Sequence, residues 1–256
     1  MNARLAGRTA VVTGASRGIG AAISEALASE GAELALLGRH LPSLEALAGR
    51  LPVRSFAVAA DVADPDSVHA AFARIREQFP RIDILVNNAG QAQSAPFMRT
   101  DLALWQRMLA VNLNGAFLCT HEVYAAMVEQ DYARVINISS TAGLIGLAYV
   151  SAYCAAKHGL IGLTRALARE AAASALTVNA VCPGYTETDV VKEAMANIVA
   201  KTGKTAAQAR AALTARNPQG RLIRPAEVAN AVLWLCLPGS ESITGQAIAV
   251  AGGEIM

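Results

Sequence analysis

What most constrains this chain is an alternation. Short, almost continuously apolar runs rich in β-branched residues lie at 9–13, 34–37, 53–58, 82–86, 135–139, 177–181 and 247–250. Between them, segments at 18–29, 43–50, 65–79, 102–128, 153–173 and 225–235 carry apolar residues near the helical period. A strand with one wet face alternates apolar with polar, whereas a strand that is apolar throughout must be covered on both faces. Helices between successive strands supply that cover, and right-handed crossovers make the strands parallel. The expectation is an α/β protein: a single-domain Rossmann fold over residues 1–256, with a doubly wound, parallel seven-stranded sheet and helices on both faces. One stretch breaks the alternation. Residues 188–219, rich in Ala, Lys and Thr, read as a helical insertion suited to be a substrate lid.

Length and charge exclude several functions. A chain of 256 residues buries one large core and is too short for two ordinary enzyme domains with a linker. Its 22 basic and 20 acidic residues leave a net charge of +2, no field to gather nucleic acid or an anionic membrane, so neither is expected as a partner. No apolar run has the length of a membrane span or precedes the first strand as an export signal would. Cys119, Cys154, Cys182 and Cys236 form no C-x-x-C pair and have no His at ligand spacing, so they read as reduced core thiols, without metal, in a cytoplasmic protein.

In open α/β sheets ligands bind beyond the carboxyl ends of the strands, so the turns there are where chemistry belongs. The first, Thr13-Gly14-Ala15-Ser16-Arg17-Gly18-Ile19-Gly20, follows a strand and opens a helix. Glycines allow a tight turn and close backbone approach, and free helix N–H groups favour a phosphate. Asn87-Asn88-Ala89-Gly90 follows the fourth strand, Ser140 the fifth, and Tyr153-x-x-x-Lys157 opens a helix. Residues four apart share a helix face, so the Tyr153 phenol and the Lys157 ammonium point into one cleft. That ammonium is expected to lower a phenol pKa of about 10 toward the working range of an acid–base catalyst. Ser140 can donate a hydrogen bond to a substrate oxygen that gains negative charge. Taken singly, each has a plainer reading: a solvated Tyr–Lys pair, a strand-end turn serine, and, for Asn112, a buried residue that satisfies backbone groups. His158 lies one helical step from Lys157, which turns it away and suits packing or capping.

Taken together, from the glycine turn through Asn112, Ser140, Tyr153 and Lys157 to Pro183-Gly184, and on to Thr244-Gly245-Gln246 and Gly252-Gly253, the chain resembles the short-chain dehydrogenase/reductase family. Within it the likeness is greatest to 3-oxoacyl-thioester reductases and polyketide ketoreductases. The resemblance implies hydride transfer between a nicotinamide dinucleotide and a carbonyl or secondary alcohol, with Asn112, Ser140, Tyr153 and Lys157 catalytic. It assigns the dinucleotide's phosphates to Gly14, Ser16, Arg17, Gly18, Ile19 and Gly20, and its adenine to Asp61 and Val62. Asn88, Ala89 and Gly90 would line its path, Tyr153 and Lys157 would hold the nicotinamide end, and Pro183, Gly184, Thr186 and Thr188 would pack on it. For Asp61, helix capping ahead of Pro65 stays open as an alternative. The resemblance also implies a homotetramer, built through the helices that start near Leu102 and Tyr153.

Two expectations come from charge. The second strand ends Leu36-Leu37-Gly38-Arg39, with glycine where an NAD site needs an acid, and Arg17 projects toward the same pocket. NADP(H) is therefore expected to be preferred, with NAD(H) left open. From 188 to 224 the basic residues Lys192, Lys201, Lys204, Arg210, Arg216, Arg221 and Arg224 face only Asp189 and Glu193 in acid, a balance suited to the phosphates of coenzyme A or the acidic surface of an acyl carrier protein.

Overall fold

A computed structural model describes residues 3–255. Its centre is a seven-stranded parallel sheet in the order β3-β2-β1-β4-β5-β6-β7. The strands are β1 (Thr9–Thr13), β2 (Glu33–Gly38), β3 (Ser55–Ala59), β4 (Ile84–Asn87), β5 (Ala133–Ile138), β6 (Leu176–Pro183) and β7 (Ala247–Val250). The order reverses between β1 and β4, which opens a crevice above their carboxyl ends.

Side chains along a strand point alternately to opposite faces, and the core divides accordingly. Ala10, Val12, Leu34, Leu36, Ile84 and Val86 pack on one side with Ile23, Leu27, Leu44, Val228 and Val232. Val11, Ala35, Leu37 and Leu85 pack on the other with Phe72, Ile75, Cys119, Val123 and Ala168. The first face is covered by α1 (Gly18–Ser29), α2 (Leu41–Ala48) and α9 (Pro225–Cys236). The second is covered by α3 (Pro65–Gln78), α5 (Gly115–Val128) and α6 (Ser151–Glu170). The expected doubly wound sheet is thus observed, with a core on both faces.

The expected single helix over 102–128 is interrupted. α4 (Leu102–Leu109) runs into a π-helical turn, Ala110–Asn114, before α5 begins. Wide turns of this kind free backbone groups and cluster at functional sites. Here Asn112 is the buried residue of the turn. The insertion at 188–219 forms two helices, α7 (Asp189–Thr202) and α8 (Ala206–Thr214), which α8 begins with a capping box between Thr205 and Gln208. No helix among the described residues is long and apolar enough to cross a membrane.

Candidate active site

The glycine turn is built from behind. At the end of β1 the Thr13 hydroxyl accepts hydrogen bonds from the amides of Asn88 and Ala89, both at 3.0 Å. The Asn88 side-chain amide donates to the Thr13 and Gly14 carbonyls at 2.9 and 3.1 Å. Asn88 is thus a strut for the turn, and its signal was the Asn-Asn-Ala-Gly run, whereas nothing in the sequence singled out Thr13. Gly14 and Gly18 are left-handed, with φ of 64° and 58°. A Cβ on Gly14 would stand 2.9 Å from the Ala89 Cα, and one on Gly20 would collide with the Gly14 carbonyl. α1 therefore starts behind a tight turn, and no side chain caps its free N–H groups. Ser16 and Ile19 are partly buried there, and Arg17 is exposed. Such a cradle fits the diphosphate of a dinucleotide, which these N–H groups would hold.

Tyr153 and Lys157 lie in the first two turns of α6, with Lys157 Nζ 5.6 Å from the centre of the Tyr153 ring. The Lys157 ammonium is buried and donates to the Ile138 carbonyl at the end of β5, at 2.8 Å. Ser139 and Ser140 diverge, as strand alternation requires. Ser139 is buried and donates to the Lys157 carbonyl at 3.1 Å, whereas the Ser140 hydroxyl accepts from the Ala142 amide at 3.1 Å and interacts with the Tyr153 phenol. Gly143 makes this packing feasible, since a Cβ there would lie 2.8 Å from the Lys157 carbonyl.

Electrostatics correct one expectation. Burial pushes the Tyr153 phenol up to about 12, against the lowering effect of Ser140. Burial also pulls the Lys157 ammonium down to about 8. Desolvation sets the direction for both groups, so the lowered phenol pKa expected from spacing is absent in this state.

Asn112 is 1% exposed and fully engaged. Its amide donates to the Gln91 and Met108 carbonyls at 2.9 and 3.0 Å, and its Oδ1 accepts from the Gln91 amide at 3.2 Å. A Cβ on Gly90 would sit 2.9 Å from Asn112 Oδ1 and 3.6 Å from Lys157 Nζ, so the segment after β4 threads between these two residues. Asn114, by contrast, is exposed. His158 is also exposed, with its ring nitrogen 2.9 Å from the Cys154 carbonyl, away from Lys157.

The remaining candidates sit around the same edge of the sheet. Asp61 Oδ1 accepts from the Ala63 amide at 3.0 Å, while the cap of α3 is Asp64, so Asp61 is not the helix cap. Val62 packs against Gly115. β6 ends at Pro183, Gly184 follows, and Thr186 is buried with its hydroxyl on the Gly184 carbonyl at 2.9 Å. Thr188 begins α7 with its methyl against Gly18. Arg17 forms an ion pair with Asp189 at 3.2 Å, and Arg39 is exposed directly after Gly38.

The basic excess counted over 188–224 is largely neutralised. Lys192 pairs with Asp189 at 3.1 Å, Arg210 with Glu187 at 2.9 Å, Arg216 with Glu254 at 3.7 Å, and Arg221 with Glu227 at 2.7 Å. The Lys201 side chain lies outside the described residues.

A parallel sheet with a glycine turn at its switch point and a Tyr–Lys–Ser cluster two strands further on is the arrangement of a dinucleotide-type oxidoreductase. The comparisons name the family. The short chain dehydrogenase family model matches residues 8–198, and the chain belongs to that family. It is 38% identical over 257 residues to the 3-oxoacyl-[acyl-carrier-protein] reductase of Aquifex aeolicus, covering 99% of each chain. It is 38% identical, again over 257 residues, to the cis-4-hydroxycyclohexanecarboxylate dehydrogenase of Sinomonas cyclohexanicum, covering 99% of this chain and 98% of that one. A solved variant of actinorhodin polyketide ketoreductase with NADPH superposes with a TM-score of 0.92 at 35% identity, covering 96% and 97% of the two chains. The protein is an oxidoreductase acting on CH–OH groups, and its family binds NAD(P).

Proposed function

We propose that this chain is a reductase of 3-oxoacyl thioesters, carried on coenzyme A or an acyl carrier protein, that prefers NADP(H) to NAD(H). The observation that carries the reading is the position of Tyr153, Lys157 and Ser140 beside the glycine cradle, together with the likeness to the Aquifex reductase. When bound, the dinucleotide supplies the hydride. Tyr153 gives its proton to the substrate oxygen, and Ser140 donates a hydrogen bond to that oxygen as charge develops on it. Lys157 holds a positive charge near the phenol, which favours the phenolate left after proton transfer. Asn112 holds the Gly90–Gln91 backbone against Lys157 and, with its π-helical turn, offers the proton path that the family resemblance implies.

In this reading the chain is one domain, α7 and α8 form the substrate lid, and the protein works as a cytoplasmic homotetramer. Leu102 and Phe117, 68% and 50% exposed on α4 and α5, supply an apolar face for assembly. The Sinomonas relative supports a second reading, oxidation of a free cyclic alcohol. Steady-state assays decide between them. The thioester reading expects a higher kcat/KM for acetoacetyl thioesters with NADPH than for cyclohexanols with NADP+. The opposite ranking would establish the alternative.

A further inference from the structure

The lid begins on the glycine turn. Thr188 and Asp189, the cap and the first residue of α7, both meet it: a Cβ on Gly18 would lie 3.1 Å from the Thr188 methyl, and Arg17 Nη1 donates to Asp189 Oδ2 at 3.2 Å. Arg17 is the one cation in residues 14–20, so the turn's only positive charge is held by a carboxylate 172 residues further along the chain. Lys192 Nζ, one helical turn on, pairs with the other carboxylate oxygen at 3.1 Å. Lys192 first, and Arg17 after it, hold the Asp189 carboxyl below the usual carboxylate range, so it is charged near neutral pH.

Local roles leave the contact with Arg17 unexplained. An acid in the first turn favours the helix dipole, and Lys192 already partners that carboxylate on α7 itself. Neither requires a reach across to α1. Arg17, for its part, is the N-cap of α1 but makes no side-chain cap, so its guanidinium stands at a helix end whose N–H groups suit a phosphate. The Arg17 and Asp189 side chains are 64% and 45% exposed, open to an anion from solution. A ribose phosphate carries more charge than a carboxylate and accepts paired hydrogen bonds from a guanidinium. A single contact between exposed groups contributes little to the fold, so Arg17 can exchange one anion for the other at small cost.

We infer that Asp189 lowers the affinity for the dinucleotide by competing with its phosphate for Arg17. The inference rests on the reading that Arg17 faces the phosphates of NADP(H), and adds to it a residue of the lid that sets how tightly they are held. Asp189 is then a determinant of cofactor choice that lies outside the glycine turn.

The test measures Kd for NADPH and for NADH by fluorescence titration without substrate. Asp189→Asn keeps the size of the side chain and removes its charge; Asp189→Ser, which keeps a helix-capping acceptor, replaces it if it does not fold. Asp189→Asn is expected to tighten NADPH about two- to fivefold, the size of one exposed ion pair, and to leave NADH unchanged. In an Arg17→Gln background the same substitution should change neither Kd, whereas in an Arg39→Ala background it should still tighten NADPH. A charge felt at long range, or damage to α7, would act in both backgrounds alike. Equal tightening of NADPH and NADH keeps the competition, places Arg17 on the diphosphate and removes it from the choice of NADP(H). Weaker binding by Asp189→Asn would mean that Asp189 orients Arg17 for the phosphate. That result, no change at all, or a change that persists in Arg17→Gln would overturn the inference. Tighter binding of NADH than of NADPH by the wild type would instead overturn the NADP(H) preference, and the comparison between the two backgrounds would still decide on the competition.

Discussion

Lys157 should cost the protein stability in exchange for its chemistry, and the cost should depend on pH in a defined direction. Its ammonium is buried and its pKa falls from 10.5 to about 8. Each pKa unit corresponds to about 1.4 kcal/mol, so this depression is a folding penalty of about 3 kcal/mol. The sign follows from proton counting. Between pH 8 and 10.5 the unfolded chain keeps the proton that the folded chain has lost, so stability rises with pH across that window. The penalty is therefore fully present below pH 8 and gone above 10.5. Lys157→Met removes it, but leaves the Ile138 carbonyl without its 2.8 Å donor, a loss of about 1–3 kcal/mol at every pH. Near pH 7 the variant should therefore be as stable as wild type or up to about 2 kcal/mol more stable. Denaturant unfolding of both proteins at equal concentration, from pH 7 to 10.5, measures the difference. Wild type should gain about 3 kcal/mol on the variant over that range. A difference that stays flat with pH would show that Lys157 is not a desolvated ammonium, and the reasoning would fail.

Three further outcomes are expected. Tyr153→Phe should keep dinucleotide affinity, measured by fluorescence titration, and lose about two to four orders of magnitude in turnover; an intact rate would remove Tyr153 from the mechanism. Wild type should show a higher kcat/KM with NADPH than with NADH, Arg39→Ala should lower that ratio, and Gly38→Asp with Arg39→Ala should invert it. Packing allows the aspartate, since a Cβ on Gly38 meets Leu44 Cδ2 at an ordinary 3.6 Å. Light scattering at micromolar concentration should give a tetramer, and Phe117→Glu should shift it to smaller species; a stable wild-type monomer would contradict the assembly face.

How much of this was legible in the sequence depended on the range of the interaction involved. The sheet was legible because each strand carries its own double-sided burial signal, and the Tyr153–Lys157 pair because helical spacing is local. The π-helical turn was not, since the apolar period of 102–128 suits a continuous helix, and the turn is tied down by Asn112 bonding to Gln91, 21 residues earlier. Local charge counting over 188–224 missed acidic partners for the same reason. Arg210, Arg216 and Arg221 find Glu187, Glu254 and Glu227, all outside the counted segment. Spacing also told that Lys157 would stand near the phenol, but not that both groups would be desolvated, and desolvation sets the direction of their pKa values. Glu254 is the extreme case. It reaches Gly184 because β7 pairs with β6, Val250 beside Pro183, and the glycine strap then folds back over the strand ends. No pattern around residue 254 announces a buried carboxylate. Its burial follows only once strand pairing and two left-handed glycines are considered at one place.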